Sequence, residues 1–184
     1  MRVVFLDRDG VINKEVEYLH KIEDFEFTYR CIEALKKIQQ KKYQIIVITN
    51  QAGIAKGYFT EKEYQLLTEL YLNKLVVNGV NILDVFYCPN HIKGVIPEYK
   101  KDCAYRKPKP GMINKAQKKY KINLAESIMV GDKVTDILAG KAAGIGMNIL
   151  VESGHKLSEG CKIQSDYVFE DLYSFSNSDI FNKS

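Results

Sequence analysis

The sequence predicts an α/β doubly wound fold, a Rossmann-like parallel sheet flanked by helices, in a single domain with short cap loops. Three observations predict it. Short β-rich runs of Val, Ile, Leu, Phe and Tyr recur without polar alternation, as strands covered on both faces require. Longer segments of helical period separate them, and that alternation belongs to α/β folds. No internal repeat, low-complexity tract or linker divides the 184 residues, a length that buries one full core without disulfides.

The first strand is expected at 2–6, "RVVFL", and ends abruptly in Asp7, Arg8, Asp9 and Gly10. Residues 10–28 then lack periodicity and read as a loop covering a substrate. Ile32, Leu35 and Ile38 mark the stripe of a first helix, and "YQIIVIT" at 43–49 the second strand. Thr60 with Glu63 forms a capping box, opening a helix with its apolar stripe at Tyr64, Leu67 and Tyr71. "ILDVFY" at 82–87 is the third strand. A second covering loop is expected at 88–109, where Pro89, Pro97, Pro108 and two cysteines break any period, and Pro110 suits the first turn of the next helix. Strands at 127–130, 147–151 and 166–169 complete the sheet, leaving 176–184 as a tail of the 1–184 domain.

With 46% hydrophobic and 27% charged residues the chain reads as an ordinary globular protein. Its charge of +4 is spread along scattered lysines, which excludes a nucleic-acid stripe and suits small anionic ligands. The apolar run of "MRVVFLD" is too short for a signal peptide and no segment has bilayer length, so a cytoplasmic location with no membrane partner is expected. No long exposed apolar helix demands a second copy, so a monomer is expected. Cys31, Cys88, Cys103 and Cys161 lie far apart, and burial or metal binding explains them better than disulfides.

In parallel sheets ligands bind at the carboxyl ends of the strands. Polar residues gather at those ends: Asp7 and Asp9 after the first strand, Thr49, Asn50 and Gln51 after the second, and "GDKVTD" at 131–136 after the fourth. Arg106 and Lys107 precede a helix in "YRKPKPG". Acids with oxygen donors favour a hard cation such as Mg2+, and hydroxyl, amide and cationic groups suit a phosphate. Two carboxylates at one strand end repel each other unless a cation or a shared proton intervenes. One of them can attack phosphorus while the second protonates the leaving oxygen and later activates water. Alternation along an extended segment points Asp7 and Asp9 the same way, and Gly10 lets the chain turn off.

These motifs, "FLDRDG", "VITN", "RKPKPG" and "VGDKVTD" in order, resemble the haloacid dehalogenase superfamily of phosphatases over roughly residues 3–170. "YLHKIEDFEF", "TNQAGIAKGYFTE" and "YCPNH" are similar to the branch holding histidinol-phosphate and heptose bisphosphate phosphatases. The resemblance implies an Mg2+-dependent phosphoric monoester hydrolase acting on a small phosphorylated sugar. The implied substrate is D-glycero-D-manno-heptose 1,7-bisphosphate, with histidinol phosphate as the alternative. It makes Asp7 the nucleophile and Asp9 the general acid/base, with Thr49 and Lys107 holding the phosphoryl oxygens. Asp7, Asp9 through its carbonyl, and Asp132 would hold the metal. Glu15, Val16, Glu17, Tyr18, Asn50, Gln51, Ala52 and Arg106 would meet the substrate, and Lys133 would order the acids beside it, with Asp136 orienting its neighbours.

The branch carries a zinc loop with four Cys or His ligands, and the matching positions here read Cys88, Asn90, Cys103 and Tyr105. Two of the four are poor ligands, which argues against zinc, and His91 stands one residue late. Two other classes remain open from the residues alone. A phosphoacceptor domain shares the strand-end acids, though Asp9 is placed to destroy a phosphoaspartate; a zinc-stabilised binding module would use 88–105. His20 reads as a loop residue near substrate, and His155 with the lysine-rich run 114–121 as surface.

Overall fold

The computed structural model describes residues 1–155, 159–162 and 164–182. Within them six parallel strands form one sheet: β1 (Val3–Leu6), β2 (Gln44–Asn50), β3 (Asp84–Cys88), β4 (Ile128–Gly131), β5 (Met147–Val151) and β6 (Tyr167–Phe169). Their order is β3-β2-β1-β4-β5-β6, and every neighbouring pair is parallel. Each lies within two residues of its expected place, because the run of β-branched residues and the buried segment are the same thing in a strand covered on both sides.

The helices are α1 (Cys31–Gln40), α2 (Ala52–Ala55), α3 (Glu61–Val77), α4 (Gly111–Tyr120), α5 (Val134–Ala143), α6 (Glu159–Lys162), α7 (Leu172–Ser176) and α8 (Asp179–Asn182). Strand alternation sorts them onto two faces. Val4, Leu6, Ile45 and Val47 pack with Leu35 and Ile38 of α1, Leu67 and Tyr71 of α3, and Phe175 of α7. Val3, Phe5, Ile46 and Ile48 pack with Met112 and Ile113 of α4 and Ala139 of α5. Phe5 is fully buried, and truncating such a side chain to Ala costs about 3–5 kcal/mol.

The capping box forms as expected: Thr60 Oγ1 accepts from Glu63 N at 3.2 Å, and Glu63 Oε2 accepts from Thr60 N at 2.7 Å. Pro110 stands one residue before α4 rather than inside its first turn, where its missing N–H leaves no bond unmade. The segment expected as a tail is partly folded. Phe181 of α8 is fully buried against Phe175, with ring centroids 5.0 Å apart, because an aromatic side chain gains more from that apolar face than from water. The side chain of Cys161 and residues 183–184 lie outside the described residues. Cys31 is buried in the α1 face of the core, and burial pushes its thiol up to about 12.

Among the described residues, no helix is long and apolar enough to cross a membrane. The strand order leaves β1 between β2 and β4, so the connections from these strands depart toward opposite sides and open a crevice at their carboxyl ends.

Candidate active site

β1 hands the chain to Asp7 while pairing with β4 is still in force, since Asp7 N donates to Val130 O at 3.0 Å. The Asp7 carboxylate is almost wholly buried, at 6% exposure. Its Oδ1 accepts from Arg8 N at 2.7 Å and lies 3.0 Å from Lys107 Nζ. Lys107 arrives from the loop before α4 and is clamped at its backbone: its N donates to Asn50 Oδ1 at 3.0 Å, and Asn50 Nδ2 donates to its carbonyl at 3.1 Å. The buried ammonium also lies 2.6 Å from Asp136 Oδ1 and donates to Ile48 O at 2.8 Å. Asp136 sits in the first turn of α5, where its Oδ2 accepts from Lys133 N at 3.0 Å.

Asp132 follows β4 and is fully buried. Ligand oxygens of Asp7, Asp132 and Asp136 lie within 4.8 Å of one another. Burial pushes the Asp7 carboxyl up to about 6, opposed by Lys107 and reinforced by Asp136 and Asp9. Burial also drives Asp132 up to about 8, with the charges of Asp7 and Asp136 adding to it. Carboxylates crowded in this way lack positive charge, and Oδ1 of Asp132 is buried with no hydrogen-bond partner. An all-oxygen set with an open acceptor fits a hard divalent cation.

Asp9 is held differently. Arg8, fully buried, turns its guanidinium onto the Asp9 carboxylate, with Nη2 2.9 Å from Oδ1 and 3.0 Å from Oδ2. Asn13 Nδ2 donates to Oδ1 at 3.0 Å, and Gln51 Nε2 to Oδ2 at 3.1 Å. Burial alone would raise this carboxyl, but Arg8 and the two amide donors outweigh it and hold it below the ordinary range. Thr49 is buried at 1% exposure, and its Oγ1 accepts from Gln51 Nε2 at 2.9 Å, which leaves the hydroxyl hydrogen uncommitted.

Asp9, Asn50, Gln51, Ala52, Arg106 and Lys107 line one cavity of about 550 Å³, with 15–18 and Lys133 on its other walls. Lys133 Nζ pairs with Glu15 at 2.9 Å and stands 4.0 Å from Asp132. Lys56 Nζ donates to the Tyr18 hydroxyl over the same opening. Arg106 is anchored by its Nη1, which donates to Asn90 O at 3.3 Å. The structure therefore brings the sequence-predicted site residues to this cavity or to the buried acid cluster beneath it, with Thr49 joined to the cavity wall through Gln51.

Three residues of the site were not anticipated. Arg8 and Asn13 bind Asp9, and His155 Nδ1 lies 2.7 Å from Asp132 Oδ2, so His155 is no plain surface residue. For His155 a signal existed, since it follows the carboxyl end of β5 in "ESGH". Strand alternation, by contrast, points Arg8 away from the acids, but the chain leaves the extended path at Arg8 itself, whose carbonyl accepts from Ile12 N at 2.9 Å. His20 stacks on Phe59 at 5.3 Å between centroids and its Nδ1 lies 2.8 Å from Tyr18 O, so it shapes the cover from behind.

The four zinc-loop positions form no ligand set. Asn90 Nδ2 donates to Cys88 Sγ at 3.9 Å, Tyr105 is exposed, and His91 Nδ1 accepts from Lys93 N at 3.0 Å. Burial pushes the Cys88 thiol up to about 11, whereas at Cys103 burial is outweighed by hydrogen bonds from its surroundings, which lower the thiol. Among the described residues no three Cys, His or acidic side chains converge there.

A doubly wound sheet with strand-end acids, a buried lysine and a hydroxyl defines a phosphoric monoester hydrolase of the haloacid dehalogenase type. A family model described as "HAD-hyrolase-like" matches residues 104–175. A D-glycero-alpha-D-manno-heptose-1,7-bisphosphate 7-phosphatase of Photorhabdus laumondii is 61% identical over 159 residues, covering 86% of this chain and 87% of that protein. A D-glycero-beta-D-manno-heptose-1,7-bisphosphate 7-phosphatase of Pasteurella multocida is 44% identical over 171 residues, covering 93% and 92%. The crystal structure of the D,D-heptose 1,7-bisphosphate phosphatase of B. bronchiseptica, complexed with magnesium and phosphate, superposes with a TM-score of 0.86 at 25% identity over all of both chains. The chain belongs to the haloacid dehalogenase superfamily, within its family of heptose 1,7-bisphosphate 7-phosphatases.

Proposed function

We propose that this enzyme removes the phosphate at carbon 7 of D-glycero-D-manno-heptose 1,7-bisphosphate. The observation that carries the reading is the buried cluster of Asp7, Asp132, Asp136 and Lys107 at the base of a cavity rimmed by cations. A bisphosphate presents a second dianion beyond the reacting group, and Arg106 and Lys56 offer positive charge for it. Greater identity to the relative named for the alpha anomer supports that anomer as the better substrate.

Asp7 attacks phosphorus, forming an aspartyl-phosphate as the ester P–O bond breaks, and the leaving oxygen takes a proton from Asp9. Water then attacks the aspartyl-phosphate, passes its proton to Asp9 and frees Asp7 and inorganic phosphate. Arg8 keeps Asp9 ionised at rest, which suits the second half, and the dianionic substrate beside it raises its proton affinity for the first. Lys107 and the free hydroxyl hydrogen of Thr49 face the phosphoryl oxygens, where charge is spread as the group transfers. Asp7, Asp132 and the Asp9 carbonyl would hold Mg2+, which supplies positive charge to the acids and the phosphoryl group. Residues 10–28 and 88–109 cover the substrate.

The test is phosphate release measured side by side on both heptose bisphosphate anomers, histidinol phosphate and an aryl phosphate. The expected order places the alpha heptose first, with Asp7→Asn inactive on all four. Preference for histidinol phosphate, or activity retained in Asp7→Asn, would overturn the reading.

A further inference from the structure

Two segments of chain converge on a single oxygen, Oδ2 of Asp132. A Cβ added to Gly10 would stand 2.4 Å from it and one added to Gly154 2.0 Å, so both glycine backbones lie against this oxygen. Ser153 ties the two segments together, its Oγ donating to Gly10 O at 2.5 Å. His155 completes the enclosure with Nδ1 2.7 Å from the same Oδ2. Lys133 is held off at 4.0 Å by its pairing with Glu15. The other oxygen, Oδ1, is buried without any hydrogen-bond partner.

A carboxylate has two oxygens and one torsion that exchanges them. Fixing one by a donor therefore fixes where the other points. We propose that His155 is a positioning residue for the metal centre: its imidazole pins Oδ2 of Asp132, so that Oδ1 alone is presented to the cation. The inference rests on the assignment of Asp132 as a metal ligand. His155 is half exposed, with 44% of its side chain open to solvent, so it supports no part of the core. Its position on the segment after β5 makes that segment a fifth wall of the site, beside those after β1, β2, β3 and β4.

The test is a calorimetric titration of substrate-free protein with Mg2+, in wild type and in His155→Ala, His155→Asn and His155→Gln. Loss of a partner that orients a ligand weakens metal binding by about 10–100-fold, and His155→Ala is expected in that range. The Asn amide nitrogen falls where Nδ1 stands, whereas that of Gln falls nearer Nε2, so His155→Asn is expected to recover affinity and His155→Gln not. Matching thermal unfolding of the metal-free proteins shows the folds are intact. Equal Mg2+ affinity in wild type and His155→Ala overturns the proposal alone, as does an Asn variant as weak as Ala. Nitrogen coupling to bound Mn2+ that vanishes in His155→Ala also overturns it, by making His155 a direct ligand. A wild type that binds no Mg2+ overturns the metal assignment and the proposal with it.

Discussion

Lys107 Nζ lies 3.0 Å from Asp7 Oδ1, and both groups are buried from water. The same ammonium meets Asp136 at 2.6 Å, so one cation is shared by two acids, and they in turn keep it protonated although burial opposes its charge.

Removing that cation in Lys107→Met leaves Asp7 and Asp136 buried without their counter-charge. The charge also matters most as the phosphoryl group transfers, so kcat is expected to fall by about two to three decades while KM changes less. The acid limb of the pH–rate profile should move up, because the ammonium is what opposes the rise of the Asp7 pKa. Steady-state kinetics across pH checks both, and an unmoved acid limb would separate Lys107 from Asp7.

Asp9 is expected to contribute as a proton carrier, so Asp9→Asn should lose about two to four decades of turnover. The deficit should depend on the leaving group. An aryl phosphate leaves with little protonation, so formation of the aspartyl-phosphate is expected to recover with that substrate while its hydrolysis stays slow. Rapid-quench measurement of the phosphorylated protein distinguishes the two steps. An equal deficit in both, whatever the leaving group, would assign Asp9 to structure.

How much of this site the sequence revealed follows from where each partner comes. Asp7 and Asp132 follow, and Thr49 stands near the end of, a strand whose apolar run is unmistakable, so their convergence follows from the order of a parallel sheet. Arg8 was hidden because an extended chain would turn it away from its neighbours, whereas the chain bends at Arg8, whose carbonyl accepts from Ile12 N at 2.9 Å, and the guanidinium reaches Asp9. His155 was overlooked although its place after the carboxyl end of β5 was a signal, because the segment that carries it has no motif. α8 was overlooked because four residues are too few to show helical period, and only packing reveals that Phe181 is buried.

Zinc removal is expected to change nothing. Cys88 and Cys103 are the only thiols at the four loop positions, and Asn90 turns its amide toward Cys88 in place of a ligand nitrogen. A structural zinc site needs four Cys or His donors. Purified protein should therefore carry far less than one zinc per chain, and a zinc-selective chelator should leave its melting temperature and Mg2+-supported activity unchanged. Stoichiometric zinc by elemental analysis would refute this.

The metal-free protein should lose stability as pH rises. Asp7 goes from an ordinary 3.8 up to about 6 on folding, and Asp132 from 3.8 up to about 8, in both cases through burial first. An acid with a raised folded-state pKa binds more protons folded than unfolded between the two values, so stability falls as pH climbs through that interval. Asp7 acts from about pH 4 to 6 and Asp132 from about pH 4 to 8. The decline is shared between the coupled groups. Asp9 does not contribute to it, because its pKa is lowered and its effect is complete above the ordinary value. Mg2+ binds the ionised acids and supplies the missing charge, so its stabilising effect should grow over the same window. Thermal unfolding followed from about pH 4 to 8, in EDTA and in Mg2+, checks both halves. Parallel curves with and without Mg2+ would mean that these carboxylates are not what the cation meets.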